Sequence, residues 1–309
     1  MKFTNNQNLP QSVVRAAADD RYSRGKADIS VTSLIDAPRQ HIMGQICVGD
    51  KAPVIDVSTR LWPLLGTAFH SLMDHDYEAD VIKEERLFTE CEGWTISGAI
   101  DRQIKRGRKH DIEDFKVTSV YTYMGAERGE KEGWSDQLNL YAELVEANGK
   151  EVKNLYIIAL LRDWRPMEAK TRAGYPPTPI MRMKIEKKPK AERIAFMKER
   201  VELHQTAQAS FDLHGEIVEC TDDERWETPA QWALKRKGAK RALKLHDTER
   251  AIMADMASRP PVAGGYEIEE RKGQNRRCEE YCDFAPMCLQ WKAIQEEIVI
   301  EQVMKEIEQ

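Results

Sequence analysis

Two aspartates and a lysine carry the most specific chemistry in this chain. Asp101 ends the segment Gly98-Ala99-Ile100-Asp101, and Asp114 and Lys116 stand in Asp114-Phe115-Lys116 after a short basic turn. Carboxylate and carbonyl oxygens suit a hard divalent cation, which lowers the pKa of a bound water and neutralises charge growing on a phosphate. In that arrangement Asp101 and Asp114 are carboxylate ligands and the backbone carbonyl of Phe115 is a third. Lys116 orients or deprotonates the attacking water and offsets transition-state charge. The chemistry that follows is metal-dependent phosphodiester hydrolysis. An exposed cross-strand ion pair would present the same residues, so the elements that position them decide.

Residues 94 to 105 alternate apolar and polar, with Trp94, Ile96, Ile100 and Ile104 on the apolar side. Arg106-Gly107-Arg108-Lys109-His110 supplies a Gly-containing turn, and Asp111 to Val117 resumes the alternation. This pattern predicts an antiparallel hairpin. Asp114 and Lys116 are two residues apart, so they project from one face while Phe115 points to the other. Asp101 reaches the same spot from the neighbouring strand. Glu113 faces the opposite side and is read as non-catalytic.

Two amphipathic helices flank the hairpin. Upstream, Trp62 to Met73 places Leu65, Phe69, Leu72 and Met73 on an apolar face, with Gly66-Thr67-Ala68 for close packing and His70 near its end. Downstream, Trp134 to Leu144 puts Gln137 and Tyr141 one turn apart on one side. The ordered set of G-x-x-x-H helix, G-x-x-D strand, D-F-K strand and Q-x-x-x-Y helix resembles the RecB-like branch of the PD-(D/E)XK nuclease superfamily. The motifs lie between residues 28 and 165, and the whole chain looks like exonucleases of this type carried by tailed bacteriophages. The resemblance implies an α/β fold: a restriction-endonuclease-like mixed sheet flanked by helices, with a C-terminal helical cap that bears a metal or cluster. It also implies that His70, Asp101 and Asp114 bind metal, that Lys116 is catalytic, and that Gln137 and Tyr141 contact DNA near the scissile phosphate. Histidine in the set tilts the preference between Mg²⁺ and Mn²⁺ toward Mn²⁺, since imidazole is softer than carboxylate.

A second signal is the cysteine run Cys278, Cys282 and Cys288, three of the six cysteines in the chain. Such density suits zinc or an iron-sulfur cluster, both of which usually take four ligands. Nucleases resembling this one often carry a 4Fe-4S cluster, with three C-terminal cysteines and one upstream in an S-x-S-x-L…C-P-R segment. Here the matching stretch runs from Ser30 to Arg39, and Ala37 stands where that cysteine is expected. Cys220, which opens the C-terminal segment in a polar turn, is read as the fourth ligand, with Cys47 as competitor. Cys91 lies in a strand-like stretch and reads as an ordinary buried thiol. Spacing alone does not separate iron-sulfur from Zn²⁺; the resemblance favours iron-sulfur.

The chain has 309 residues and a net charge of -5, enough length for one main domain and a C-terminal subdomain. The expected division is a flexible N-terminal segment over 1–27, the nuclease core over 28–215 and the cysteine-containing cap over 216–309. No stretch approaches the roughly 18 to 20 apolar residues of a membrane span, and the N-terminus lacks a signal-peptide core. A cytoplasmic protein is expected, in the bacterial host cell if phage-encoded. With no global basic field, DNA contacts must come from local patches. These are the 106–110 turn, the 184–190 run, Lys235 to Lys244 and residues 271–277. The 235–244 run is the best balanced toward phosphate, with Lys235, Arg236 and Lys237 leading it and Trp226 and Trp232 just before it for stacking.

The functional expectation is a metal-dependent DNA exonuclease acting on a free end in phage recombination or replication. Its companion would be a single-strand annealing protein or a helicase. The alternatives are a non-catalytic DNA-binding module and a site-specific endonuclease of the same superfamily.

Overall fold

Alternation of buried and exposed residues along the chain builds a six-stranded mixed sheet in the computed structural model, which describes residues 1–19, 25–73, 75, 78–130 and 132–307. The chain divides into two compact units, Met1–Val218 and Glu219–Gln309; the boundary expected from sequence was 215/216. In chain order the first unit contains β1 (Lys2–Thr4), α1 (Gln11–Ala18), β2 (Ile29–Ser30), α2 (Val31–Leu34), α3 (Pro38–Ile46), β3 (Val54–Asp56) and α4 (Leu61–Met73). There follow β4 (Val81–Cys91), β5 (Trp94–Arg106), β6 (Lys109–Thr118), α5 (Val120–Glu127), α6 (Glu132–Ala147), β7 (Glu151–Leu161), α7 (Pro166–Thr171), β8 (Ile180–Ile185) and α8 (Lys190–His214).

The sheet order is β2-β5-β6-β7-β8, with β4 also paired to β5. β4 and β6 run antiparallel to β5, β2 runs parallel to it, and β6 and β7 are parallel because α5 and α6 carry the chain back across the sheet. Helix α6 lies deepest. Leu138, Leu140, Ala142, Leu144 and Val145 are fully buried and join Ile96, Ile100, Ile112, Leu155 and Ile157 in one core. Gly98 lets the helix approach β5 closely: a Cβ there would sit 2.7 Å from the Tyr141 ring. Any side chain at position 98 would push Tyr141 out of place, which accounts for a glycine in the middle of a strand.

Helix α8 braces the opposite end. Arg200 Nε donates to Leu34 O at 2.9 Å, and buried Arg193 pairs with Glu143 at 3.2 Å. Ala37, where the resemblance placed a cysteine, is buried and caps α3.

Three expectations change. Within residues 1–19, read as part of a flexible segment, β1 pairs in parallel with β3, Lys2 N donates to Pro53 O at 2.9 Å, and α1 spans Gln11–Ala18. On α4 only Phe69 is buried, while Leu65 and Leu72 are exposed and nothing crowds Gly66. The apolar stripe there is not a packing face: Phe69 alone of its members is buried. The second unit is not purely helical. It holds α9 (Asp222–Arg225), β9 (Glu227–Thr228), β10 (Gln231–Arg236), β11 (Lys244–His246), α10 (Glu249–Ser258), β12 (Tyr266–Arg271), β13 (Gln274–Asn275) and α11 (Leu289–Ile307). An antiparallel sheet of order β11-β10-β12 forms, with Ala233 and Leu234 buried in its central strand and Ile268 set between Glu267 and Glu269 in β12.

Candidate metal centre

The β5–β6 ladder stops at Arg102↔Glu113. Beyond that pair the strands part, and the Asp101 side chain replaces the missing ladder bond: Asp101 Oδ2 accepts the Phe115 N–H at 2.7 Å. On the other side of β5, Lys83↔Arg102 and Glu85↔Ile100 are paired, but Glu84 and Asp101 between them are not. Glu84 holds a φ of +47°, a left-handed conformation that costs a non-glycine residue free energy in mid-strand. The kink turns its carboxylate toward α4.

There it meets His70. The imidazole Nδ1 lies 3.8 Å from Glu84 Oε1 and 3.6 Å from Asp101 Oδ2. Nε2 is 3.2 Å from the carbonyl of Phe115 and donates to it in the tautomer that carries its proton there. Phe69 and His70 both pack edge-on against the Phe115 ring, at 5.6 and 5.7 Å, so the residue between the two site residues of β6 fixes the helix that carries the histidine. The Nδ1 lone pair of a neutral His70 would face two carboxylates. That contact is favourable only with a proton or a cation between them. Burial alone would lower the pKa of His70, but the Glu84 carboxylate and the charges of Asp101 and Asp114 overcome it and raise the pKa. Asp101 responds in the same sense: burial, and then repulsion from Asp114, push its carboxyl up to about 7. A cation would relieve both strains, so the donor set fits a hard divalent metal.

Among the described residues, His70, Glu84 and Asp101 form the group of three whose ligand atoms lie within 4.8 Å of one another. Asp114 lies beside this group and is 2% exposed. Its Oδ2 stands 2.6 Å from Lys116 Nζ, at an angle that makes no hydrogen bond, so this buried oxygen is held by charge alone. Asp114 and Lys116 share one face, as the period-two reading requires. Glu113 points away and pairs with Arg102 and Arg182 at 3.3 and 3.0 Å.

Gln137 and Tyr141 are buried rather than displayed to solvent. Gln137 Nε2 donates to Asp114 Oδ1 and to Tyr141 Oη, each at 3.0 Å, and Gln137 Oε1 accepts from Lys116 Nζ at 3.0 Å. The amide therefore fixes the acid and the base of the D-F-K strand relative to each other. Glu84 is the residue that sequence reasoning missed. Its signal is faint: a glutamate in an alternating strand, whose role depends on a backbone kink that no residue type announces.

In the second unit, Cys278 and Cys282 pack against a small core of Ala285, Cys288 and Trp291. Cys220 is clamped beside the start of α11: its N–H donates to Gln290 Oε1 at 2.9 Å and its carbonyl accepts from Gln290 Nε2 at 2.8 Å. Burial, with the neighbouring Cys282 and Cys288, pushes the Cys278 thiol up to about 11. Cys47 is buried and Cys91 is half-buried against the main core. Lys235 is engaged by Glu267 at 3.3 Å and by Glu269, so its charge is balanced across the β10–β12 ladder. Arg236 and Lys237 are exposed at the end of the same strand.

No family model matches the chain, and no curated protein matches it. Among solved structures, it is similar to a protein named SSO0001, at 15% identity, over 64% of this chain and 88% of that one, with a TM-score of 0.40. It is also similar to a "Putative exonuclease" from Eubacterium rectale, at 14% identity, over 78% of this chain and 82% of that one, with a TM-score of 0.28. No described helix is long and apolar enough to cross a membrane.

Proposed function

We propose that this chain is a metal-dependent DNA exonuclease of the RecB-like PD-(D/E)XK type, hydrolysing phosphodiester bonds in phage recombination or replication. The observation that carries this reading is the convergence of His70, Asp101, Asp114 and Lys116 at the point where β5 and β6 part, with Asp101 held near neutrality by burial and by Asp114. Mg²⁺ or Mn²⁺ held by His70, Asp101 and Asp114, with Glu84 and the Phe115 carbonyl beside them, would supply an activated water and neutralise charge on the phosphate. Lys116 holds its ammonium where charge develops, and Gln137 Oε1 keeps it there by accepting a hydrogen bond from Lys116 Nζ. Gln137 also orients Asp114, and Tyr141 anchors the Gln137 amide from below. Gln137 and Tyr141 thus act through Lys116 and Asp114, as positioning residues.

In the second unit we assign Cys220, Cys278, Cys282 and Cys288 to one thiolate site, with a 4Fe-4S cluster as the preferred occupant and Zn²⁺ as the alternative. The Gln290 clamp supports Cys220 as the fourth ligand, since it ties the Cys220 backbone two residues from Cys288. Thiols held protonated by burial must release protons to bind, so occupancy should rise with pH.

The test is incubation with end-labelled linear DNA and closed circular DNA in Mg²⁺, Mn²⁺ or EDTA. Loss of linear DNA with the circle intact, abolished by EDTA, is the expected result. Cleavage of the circle would replace the exonuclease by an endonuclease. Tight DNA binding with no cleavage in either metal would leave the non-catalytic module.

A further inference from the structure

Two large aromatic rings stand exposed on helices next in sequence to the site residues, although burying them would be the ordinary outcome for residues of their size. Trp62, in the first turn of α4, is 56% exposed, and Tyr121, in the first turn of α5, is 72% exposed. Trp62 shares α4 with His70, and Tyr121 stands on α5, which follows β6 in the chain. Trp62 lies two turns before His70 on α4, about 12 Å away at the rise of a helix. Tyr121 follows the β6 strand that ends beyond Lys116 at Thr118.

Arg162 links them. Its N–H donates to Thr118 O at 2.9 Å, and its guanidinium lies 4.5 Å from the centroid of the Trp62 ring. In the parallel β6–β7 register, Lys116 pairs with Ala159 and Thr118 with Leu161. Arg162 therefore stands three strand residues beyond the Lys116 register position, about 10 Å along the sheet. Past it, Asp163 Oδ1 accepts the Val120 N–H at 2.7 Å and fixes the start of α5 to the β7 end. A cleft of about 400 Å³ opens there, lined by Tyr121, Met124, Arg128, Arg165 and Arg172. Arg165 and Arg172 share Glu168 at 3.8 and 3.3 Å, and Arg128 is chelated by Glu130. These are exposed pairs of small net value, which a phosphate can displace at little cost.

We infer that Trp62, Arg162 and Tyr121 form a stacking platform that leads a single-stranded nucleic-acid end to the metal centre. The inference rests on the nuclease reading above and adds the strandedness of the substrate. Single strands suit this surface for a physical reason. Stacking on a side chain needs a free base face, which a duplex does not offer, while spaced cations follow the phosphates between stacked bases. An arginine already lying over a tryptophan keeps both groups oriented, so a base covers the exposed side of the ring without reordering it.

The test separates binding from cleavage by measuring affinity in EDTA. A fluorescent single-stranded 12-mer and the matching blunt duplex are titrated with the full chain and with Trp62→Ala, Trp62→Phe and Tyr121→Ala. A stacking contact removed should weaken the single strand about 10- to 100-fold in Trp62→Ala and somewhat less in Tyr121→Ala. Trp62→Phe should recover most of the affinity, and duplex affinity should change less than about twofold. A 2-aminopurine near the end should be quenched by the parental chain and not by Trp62→Ala. Equal weakening toward duplex and single strand would replace the platform with a general phosphate surface. Unchanged single-strand affinity in both alanine variants overturns the proposal, as does higher affinity for duplex than for single strand in the parental chain. Should Trp62→Ala not fold, Tyr121→Ala and Trp62→Phe decide. Failure of the nuclease reading looks different: single strands would bind in a Trp62-dependent way, yet no DNA would be cleaved in Mg²⁺ or Mn²⁺.

Discussion

Replacing Asp101 by asparagine should destroy cleavage and yet make the metal-free protein more stable, by an amount that grows with pH. In the folded chain burial and Asp114 hold this carboxyl near 7, against 3.8 when exposed. The proton it keeps stabilises the fold below 3.8, and that stabilisation is lost as pH rises toward 7, at about 1.4 kcal/mol per pH step. By pH 8 the ionised carboxylate costs the fold about 4 kcal/mol, compared with about 2 kcal/mol at pH 5, with the attraction of His70 and Lys116 already included. Asparagine keeps an oxygen to accept the Phe115 N–H and carries no charge to desolvate. The stability difference between the variant and the parental chain should therefore widen by about 2–3 kcal/mol from pH 5 to pH 8. For a unit of this size that is a gap of roughly 5–10 °C in Tm. Thermal unfolding of both proteins in EDTA at pH 5, 6.5 and 8 reads it directly. A gap that does not change with pH, or a parental chain more stable than the variant at pH 8, would refute the electrostatic account of the site.

Glu84 gives two linked expectations: Glu84→Gln should weaken Mn²⁺ binding about tenfold, and Glu84→Gly should add up to about 1 kcal/mol of metal-free stability by removing the left-handed strain. Calorimetric titration and thermal unfolding check them, and an unchanged Mn²⁺ affinity would put Glu84 outside the ligand set. Anaerobically purified protein should be brown, and Cys220→Ser should lose the cofactor while Cys91→Ser retains it; if Cys47→Ser strips the metal instead, the fourth ligand is misassigned. Neutralising Lys235, Arg236 and Lys237 together should flatten the salt dependence of duplex binding by about two phosphate contacts rather than three, since Lys235 already meets Glu267 and Glu269. An unchanged slope would return the run to a solvated face.

The hairpin and its site were legible because strand alternation is a local property. Trp94 to Val117 has the period of two, and that period alone puts Asp114 and Lys116 on one face. Helix α6 was readable because its helical spacing is likewise local. What escaped depends on contacts distant in sequence. The α4 stripe of Leu65 and Leu72 has helical spacing but finds no partner surface, and an amphipathic pattern does not say whether its face is covered. The polar start of the chain looked unable to fold, yet β1 is held by ladder bonds to β3 that are indifferent to side-chain type. Gln137 and Tyr141 lie one turn apart on α6, as their spacing requires, but their burial follows from the close approach that Gly98 permits. The Glu84 kink left no local trace.

The central claim is that the carboxylate–lysine strand performs hydrolysis, and the most direct measurement compares the parental chain with Asp114→Asn and Lys116→Ala on the same end-labelled linear DNA in Mn²⁺, with Mn²⁺ affinity measured in parallel. Asp114 is buried against Lys116 and Gln137 and Lys116 offers only an ammonium, so the two losses should differ. Both variants should fold and lose cleavage by at least about a hundredfold. Asp114→Asn should also bind Mn²⁺ more weakly, while Lys116→Ala should bind it as the parental chain does. Near-parental cleavage by Asp114→Asn, or loss of Mn²⁺ binding in Lys116→Ala with the fold intact, would contradict the assignment.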